Sequence, residues 1–498
     1  MISPWAVAIS TATLLVALRL LFPWRTYLLA TWPILIFGVA KCLAHLFRGV
    51  DLVDLLLQLP TFSRQEVLSS LQPYSAGIFL CVAATGALLW FCYVNADTKG
   101  EKRPRVVYVL LALTIFITLT PKDVIGRAWP SDFLFASAAL VDRTNRLRFN
   151  VFPDQAVEKS PRNLQVKWFA RNDAAYHGQR QTMILIIGET VRSDYLRNCN
   201  GPDRIRPLHY GALVACDVTA GADSTFHSVP LLISRELPGH EQRVSEDTTF
   251  QRALSEVGFE SYWLSVQSQI IGWSDARHQL YLEDIVDDGL LPHLSYALNS
   301  DSWRKIIVLH ANNAHYPYCQ RYDKKNAPYQ VDCDRLSPAP VASELAEQKI
   351  AYSNAVDKSV GFVNQVIERS MQIPGEVFLV FTSDHGENFQ DDRRALIGHE
   401  LVHPTRWDIQ VPLIFWANDD WIKSHSRQWN NLRDQLGRPL THADIVPTLM
   451  SAADVAYDDP RGTHAVNLLD SKVPERFRPI QISLGVKTEW ETLLKEAE

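Results

Sequence analysis

Four long apolar runs fall within the first 120 residues of this 498-residue chain, whereas the remainder has the composition of an ordinary globular domain. A helix that crosses the hydrocarbon core of a bilayer needs about 20 mostly apolar residues. Three runs approach that length, and the fourth reaches it only by continuing past Pro121. We therefore predict an α-helical transmembrane domain over residues 1–121, with a soluble domain after it. The four predicted spans are Trp5–Phe22, Tyr27–Phe47, Tyr74–Val94 and Val106–Thr120.

The polar connections between these runs set the expected topology. Residues 95–105 ("NADTKGEKRPR") carry four Lys and Arg residues, which places this connection in the cytoplasm and everything after about residue 125 outside. The N-terminus is then external, as would follow if a first span were missing from this start. Residues 50–71 mix leucines with acids and Pro60, which favours an amphipathic segment along the outer membrane boundary, with an ordered loop as the alternative.

Charge and cysteine usage narrow the class of protein. The net charge is −6 with both signs mixed, so no basic footprint indicates nucleic-acid binding. Four cysteines lie in the external part, and an even number in an oxidising compartment suggests two local disulfides. We expect the pairs Cys199–Cys216 and Cys319–Cys333, although four cysteines allow three pairings.

From about residue 180 the chain alternates short apolar runs with amphipathic stretches. Near-continuous apolar strands that alternate with helices indicate a parallel sheet covered on both faces. Residues 122–180 lack this rhythm and are predicted to be a linker, so that the soluble α/β domain spans 181–498. The apolar runs are "MILIIG" (183–188), "SYWLSV" (261–266), "KIIVLH" (305–310), "VFLVFT" (377–382) and "VPLIFW" (411–416). The clearest helical patterns are "TTFQRALSEVGF" (248–259) and "ASELAEQKIAYSNAVDKSVGFVNQVIERS" (342–370).

Polar groups follow three of these strands, at the edge where open α/β sheets bind ligands. Glu189 follows the first run, His315 comes shortly after the third, and Asp384-His385 follow the fourth. An ordinary turn would also explain Asp384 and the nearby Gly386. Taken together, oxygen and nitrogen ligands at one edge predict a metal site, with zinc favoured over manganese.

A catalytic site of this kind also needs a nucleophile, and "DSTFHSVP" (223–230) supplies a candidate. Thr225 would be activated if its hydroxyl met the metal, and a helix N-terminus would favour the phosphate that it attacks. Ser224 is predicted instead to cap the helix that follows.

Seven motifs in order resemble the membrane-anchored phosphoethanolamine transferases of the alkaline phosphatase and sulfatase superfamily. They are "GETVRSDY" (188–195), "DSTFHSVP" (223–230), "YWLSVQS" (262–268), "NAHYPYCQRY" (313–322), "AYSNAVDKSVGF" (351–362), "SDHGEN" (383–388) and "GHELVHPTR" (398–406). The resemblance implies an alkaline-phosphatase-like parallel-sheet sandwich. The metal ligands that it implies are Glu189, Asp384, His385 and Thr225, and Thr225 would also be the nucleophile. His315 would hold phosphate oxygens or protonate a leaving group. His399 would be a further phosphate or metal contact, with His403 the weaker candidate.

The chain also departs from this family. Many members have a disulfide that flanks the nucleophile, and the corresponding positions here are Gly221 and Leu231. The late motif "HADIVPTL" (442–449) resembles a helix of the wider superfamily.

The resemblance implies transfer of phosphoethanolamine from phosphatidylethanolamine to a cell-envelope glycan or glycolipid. The transfer would proceed through a phospho-threonine intermediate. It would take place in the periplasm, on an enzyme anchored in the bacterial inner membrane. The alternatives are a phosphoglycerol transferase of the lipoteichoic-acid type and a catalytically dead membrane sensor or assembly factor. A sulfatase is disfavoured because no Cys/Ser-x-Pro-x-Arg sequence surrounds Thr225. Lipopolysaccharide core, lipid A and other acceptors stay open.

Overall fold

The computed structural model describes most of the chain from residue 167 onward. The four predicted spans, the amphipathic segment and the predicted boundary at residues 121–122 lie outside the described residues. None of the helices within the described residues is both long and apolar enough to cross a bilayer. Of the predicted linker, the structure describes residues 167–180, where Trp168 is fully buried in the core of the α/β domain. The described residues are 167–239, 247–267, 274–282, 286–337, 340, 342–399, 404–459, 465–470, 472–482 and 486–497.

The elements of this part alternate strands with helices, as the apolar pattern predicts. The strands are β1 Arg171–Asn172, β2 Gln181–Gly188, β3 Leu213–Thr219, β4 Glu260–Ser265, β5 His278–Tyr281, β6 Arg304–His310, β7 Glu376–Ser383, β8 Asn388–Phe389, β9 Ile397–Gly398, β10 Gln410–Ala417, β11 Leu440–Thr441, β12 Val455–Ala456, β13 Pro479–Ile482 and β14 Val486–Glu489. The α-helices are α1 Thr225–Leu232, α2 Phe250–Glu256, α3 Leu290–Leu298, α4 Leu345–Ser370, α5 Arg406–Ile409, α6 Asp419–Ser424, α7 Ser426–Gln435, α8 Ile445–Ala452 and α9 Trp490–Ala497. Both of the clearest helical patterns form helices, as α2 and α4.

An eight-stranded sheet in the order β11-β3-β10-β7-β2-β6-β4-β5 forms the centre. Strand β2 is buried along its whole length, as its apolar run "MILIIG" (183–188) predicts. Its side chains alternate between two hydrophobic clusters: Met183 and Leu185 belong to one, and Ile184 and Ile186 to the other. The sheet is therefore covered on both faces, as expected.

The prediction of a wholly parallel sheet is wrong at one strand. β10 runs antiparallel to both β7 and β3, so the sheet is mixed. A parallel neighbour needs a crossover connection to the far edge of the sheet, commonly a helix. The connection from β7 to β10 contains only two short strands and the four-residue helix α5 in its described part, so β10 starts at the edge where β7 ends. Apolar content does not encode direction, because a strand buried on both faces reads the same either way.

Both expected disulfides are present. Cys199 and Cys216 are bonded with their Cα atoms 5.6 Å apart. Cys319 and Cys333 are bonded with a Cα separation of 5.9 Å. The first closes the loop between β2 and β3, and the second braces the segment after His315. Both therefore constrain chain that leaves the edge where the predicted site residues lie.

A buried ionic cluster, which we call the basal cluster, lies at the opposite edge of the sheet and consists of Glu376, His425 and Asp454. His425 Nε2 lies 3.0 Å from Asp454 Oδ1, while Nδ1 lies 3.2 Å from the carbonyl of Trp421 and 4.0 Å from Glu376 Oε1. Burial alone lowers the pKa of His425, but the hydrogen bond and charge of Asp454 outweigh burial and raise it. Both ring nitrogens thus face acceptors, which favours an imidazolium.

We expect the free energy of unfolding to fall as the pH rises through the raised pKa of His425. A histidine whose pKa is raised on folding adds stability that is fully present below its ordinary pKa of about 6.5 and is lost above the folded value. Thermal unfolding of the full chain in detergent, followed between pH 6 and 9, measures this. Asp454→Asn should move the loss to lower pH. Identical profiles for both proteins would show that His425 is neutral.

Candidate metal centre and nucleophile

Strand register brings the predicted metal ligands together. β2 pairs with β7 in parallel, with Gly188 opposite Ser383, so the residues that follow these two strands leave the sheet side by side. Those residues are Glu189 and Asp384, and the backbone N–H of Asp384 donates to the carbonyl of Gly188 at 2.9 Å. The strand-end argument from sequence therefore places both carboxylates at one edge.

Glu189, Asp384 and His385 form a compact, buried cluster. One potential ligand atom from each residue lies within 4.8 Å of the other two. His385 Nε2 is 3.1 Å from Glu189 Oε1 and 3.5 Å from Asp384 Oδ2. Such closely spaced carboxylates and imidazole in a dry environment need a shared positive charge. The three side chains therefore form the candidate metal centre.

Hydrogen bonds around the cluster orient it for a cation. His385 Nδ1 lies 2.8 Å from the carbonyl of Gly386 and donates its proton there, so Nε2 is the nitrogen that faces the carboxylates. Asp384 Oδ1 accepts the backbone N–H groups of Thr190 and His385 at 3.2 and 2.7 Å. Asp384 Oδ2 is buried and has no hydrogen-bond partner. An orphaned carboxylate oxygen near an imidazole nitrogen that faces the same cluster fits a metal ligand set.

The pKa values show how strongly these charges interact. Burial, followed by the charge of Glu189, raises the pKa of Asp384 well above its ordinary value. Burial opposes ionisation of His385, but the charge of Asp384 and the hydrogen bond to Glu189 raise its pKa well above the usual range. Burial would also raise the pKa of Glu189, yet the hydrogen bond and charge of His385 hold it well below its ordinary value. Positive charge is thus favoured at the centre.

Thr225 lies against the same cluster. It is the first residue of α1, and its hydroxyl is 3.0 Å from both carboxylate oxygens of Glu189 and 3.1 Å from His385 Nε2. Its Oγ1 therefore lies within hydrogen-bonding distance of two of the three candidate ligands. The expected capping role of Ser224 is wrong, because its side chain caps no backbone N–H and instead lies 2.8 Å from His227 Nδ1.

The backbone before Thr225 is held by the C-terminal part of the described chain. The N–H of Gln481 donates to the carbonyl of Gly221 at 2.8 Å, and its side-chain Oε1 accepts the N–H of Gly239 at 2.6 Å. Gln481 is fully buried. It therefore ties together the chain before and after α1.

We expect Gly221→Cys combined with Leu231→Cys to form a disulfide without strain. A Cβ atom added at Gly221 would lie 3.5 Å from the Cβ of Leu231, within the usual range of disulfide Cβ separations of about 3.5–4.5 Å. Titration of free thiols with and without reductant measures the bond. Persistent free thiols at these two positions under oxidising conditions would contradict the geometry. The single variant Gly221→Cys is the control.

His315 and His399 also reach the centre. The ring centroids of His385 and His399 are 4.4 Å apart, and those of His399 and His315 are 5.5 Å apart. His399 Nδ1 lies 3.2 Å from Glu387 Oε1, and Tyr318 donates to the other oxygen of Glu387 at 3.0 Å. The structure thus brings together all six predicted site residues within its described part. His403 lies outside the described residues.

Three residues of this neighbourhood were missed from the sequence. Glu387 orients His399. Gln267 donates to Glu189 Oε2 at 2.8 Å. Buried His442 accepts the N–H of Gly221 at 3.2 Å, and burial lowers its pKa to about 3. Applying the strand-end rule to "SYWLSV" as well would have found Gln267, whereas nothing local distinguishes Glu387 or His442.

The chain is similar in sequence to known phosphoethanolamine transferases. The chain is 25% identical over 314 residues to the Kdo(2)-lipid A phosphoethanolamine 7''-transferase of Salmonella typhimurium, a match that covers 57% of this chain and 53% of that protein. The chain thus spans about half the length of the curated relatives it matches. The expected resemblance to phosphoethanolamine transferases is confirmed.

Solved structures share the fold. The periplasmic domain of Escherichia coli EptC in complex with Zn superposes with a TM-score of 0.58 at 19% identity, covering 66% of this chain and 97% of that one. The integral membrane lipooligosaccharide phosphoethanolamine transferase EptA of Neisseria meningitidis gives 0.64 at 16% identity, covering 86% and 84%. The sulfatase family profile matches residues 181–455. Because that match covers more than half of the chain, the protein belongs to the sulfatase family.

Proposed function

We propose that this protein is a phosphoethanolamine transferase. It moves the headgroup of phosphatidylethanolamine to a cell-envelope glycan or glycolipid, such as lipopolysaccharide core or lipid A, through a phospho-threonine intermediate. The curated relatives carry names of this activity, among them enzymes acting on Kdo(2)-lipid A. The expected location is the bacterial inner membrane with the α/β domain in the periplasm, where the donor headgroup is within reach of the anchored site.

One observation carries the proposal. Thr225 Oγ1 lies 3.0 Å from Glu189 and 3.1 Å from His385, inside a ligand cluster and at the first turn of a helix. A threonine that served only packing would have no reason to share hydrogen bonds with two buried ionised groups. At a helix N-terminus the same hydroxyl is also well placed to meet a phosphate, because unpaired N–H groups there favour negative charge.

The ligand set fits zinc better than manganese. Zinc commonly takes four ligands and is suited by imidazole, whereas manganese suits sites made of oxygen ligands alone. Here His385 supplies a nitrogen, and Glu189, Asp384 and Thr225 supply oxygens. The periplasmic domain of EptC has been solved with zinc, which supports the same choice. Bound zinc would lower the pKa of the Thr225 hydroxyl and neutralise charge on the phosphoryl oxygens.

In the first step Thr225 Oγ attacks the phosphorus of phosphatidylethanolamine. A new Oγ–P bond forms, and the P–O bond to diacylglycerol breaks. Thr225 loses one proton and diacylglycerol gains one, so the step needs no net acid or base. In the structure the Thr225 hydroxyl already donates toward Glu189, which aims its lone pairs away from the carboxylate.

In the second step an oxygen of the acceptor attacks the same phosphorus. The Oγ–P bond breaks, and Thr225 takes back a proton. His315 and His399 are positioned to accept and donate these protons. Nδ1 of His315 lies 2.7 Å from the carbonyl of Tyr316, and Nδ1 of His399 faces Glu387, so Nε2 of each ring is the nitrogen that exchanges protons with substrate.

Donor specificity tests the proposal. Purified full-length protein is incubated in mixed micelles with phosphatidylethanolamine labelled in its headgroup, and in parallel with labelled phosphatidylglycerol. We expect diacylglycerol release and protein labelling from phosphatidylethanolamine alone. Labelling from phosphatidylglycerol instead would replace this function with phosphoglycerol transfer, and labelling from neither would contradict both.

A further inference from the structure

The side chain of Gln267 contacts a ligand of the candidate metal centre from outside the ligand set. Its amide nitrogen donates to Glu189 Oε2 at 2.8 Å and to the carbonyl of Ala311 at 2.9 Å. Both amide hydrogens are thereby used, one on a metal-ligand candidate and one on the backbone of the neighbouring strand end. The amide is thus fixed in one orientation.

The backbone of Gln267 is fixed as well. Ser265 is the last residue of β4, and its hydroxyl accepts the N–H of Gln267 at 3.0 Å and donates to its carbonyl at 3.2 Å. Ser265 pairs with His310 of β6, which pairs in turn with Ile187 of β2. Gln267 and Glu189 therefore follow two strands of one sheet at the same edge. The sheet sets the distance between the two residues.

The hydrogen bond from Gln267 gives the two carboxylate oxygens of Glu189 different roles. Oε2 accepts from Gln267 and from the Thr225 hydroxyl, while Oε1 lies 3.1 Å from His385 Nε2. A fixed donor on Oε2 leaves Oε1 to meet the cation. It also stabilises the ionised form of a carboxylate buried near a second one. Groups that orient metal ligands in this way commonly tune metal affinity.

We propose that Gln267 is a positioning residue that sets the orientation of Glu189 and thereby the zinc affinity of the site. The proposal rests on the metal centre of the proposed function, but not on which lipid is the donor. Gln267 acts through Glu189 and needs no contact with substrate. Its effect therefore extends to the protein without any lipid present.

Gln267→Met tests this, because methionine keeps the length of the side chain and removes both amide donors. We expect the zinc dissociation constant of the full-length protein, measured by competition with a fluorescent chelator, to rise about 10–100-fold. Saturating zinc should restore most of kcat. The control is Gln279→Met, since Gln279 on β5 donates only to backbone carbonyls at its own end of the sheet and should leave the constant unchanged.

Two outcomes would overturn the proposal. A wild-type zinc dissociation constant in Gln267→Met would show that the amide does not position the ligand. An unchanged constant with a raised KM would assign Gln267 to substrate binding instead. The melting temperature of zinc-free protein, compared between variant and wild type, separates loss of folding from loss of affinity. Failure of the donor-lipid experiment leaves the zinc measurement intact, so the two proposals fail separately.

Discussion

Thr225→Ala is expected to reduce phosphoethanolamine transfer by roughly 10⁴-fold or more, the scale on which covalent enzymes lose activity without their nucleophile. The reason is geometric, because Thr225 Oγ1 is the hydroxyl that contacts both Glu189 and His385. Release of diacylglycerol from labelled phosphatidylethanolamine measures the loss. Thr225→Ser keeps a hydroxyl and should retain a measurable part of the rate.

The neighbouring hydroxyl provides a matched control for that loss. Ser224 Oγ contacts His227 rather than the metal centre. Ser224→Ala therefore removes a hydroxyl one residue away while leaving Thr225 in place, and its rate should stay far above that of Thr225→Ala. Equal losses in the two variants would mean that the start of α1, and not the Thr225 hydroxyl, limits the rate.

Asp384→Asn is expected to abolish stabilisation by zinc without destabilising the zinc-free protein. Asparagine keeps an oxygen for the N–H groups of Thr190 and His385, so the backbone turn survives. Burial and the charge of Glu189 raise the pKa of Asp384, so its ionised form is costly in the absence of a cation. The zinc-free variant should therefore melt at or above the wild-type temperature.

The loss of stabilisation by zinc is the larger effect of Asp384→Asn. It distinguishes the candidate metal centre from the basal cluster. A ligand at about 100 times its dissociation constant adds about 2.7 kcal/mol to the free energy of unfolding. Wild type should show a gain of that size in thermal melts, and Asp384→Asn should show none. Asp454→Asn, in the basal cluster, should keep the gain. The reverse pattern would move the metal to the basal cluster.

The basal cluster shows why composition alone does not identify a metal site. It has the same residue types as the candidate metal centre, but its carboxylate oxygens are taken by protein donors. Gln181 donates to both Glu376 and Asp454, at 3.2 and 2.9 Å. In the metal centre, Asp384 Oδ2 has no such partner. The difference lies in hydrogen bonds between distant segments, which the sequence pattern does not reveal.

The strands and the shared edge of the site could be predicted from sequence because buried strands are continuous apolar runs. Continuous apolar runs locate β2, β6 and β7, and the shared direction of these strands brings Glu189 and Asp384 to one edge. Strand β3 was missed because Cys216 and Asp217 interrupt its apolar residues. It is partly buried only, and its place in the sheet is fixed by pairing with β10 rather than by its own composition.

Other features depend on contacts across long separations. The direction of β10 depends on the path of the preceding connection, whose described part lies at the edge of the site and carries His399 and Glu387. Gln481 holds Gly221 from the far end of the chain, and no local motif signals this. Ser224 has the residue type and position of a helix cap, yet the nearby ring of His227 competes for its hydroxyl.

The intact mass of the purified protein tests the central claim most directly. Wild type and Thr225→Ala are expressed in cells that contain phosphatidylethanolamine, and each is analysed for bound metal. We predict an added mass of one phosphoethanolamine group on wild type alone, with zinc bound in that protein. Wild type that carries zinc but no such adduct under turnover with the lipid donor, or an adduct that persists in Thr225→Ala, would contradict the account.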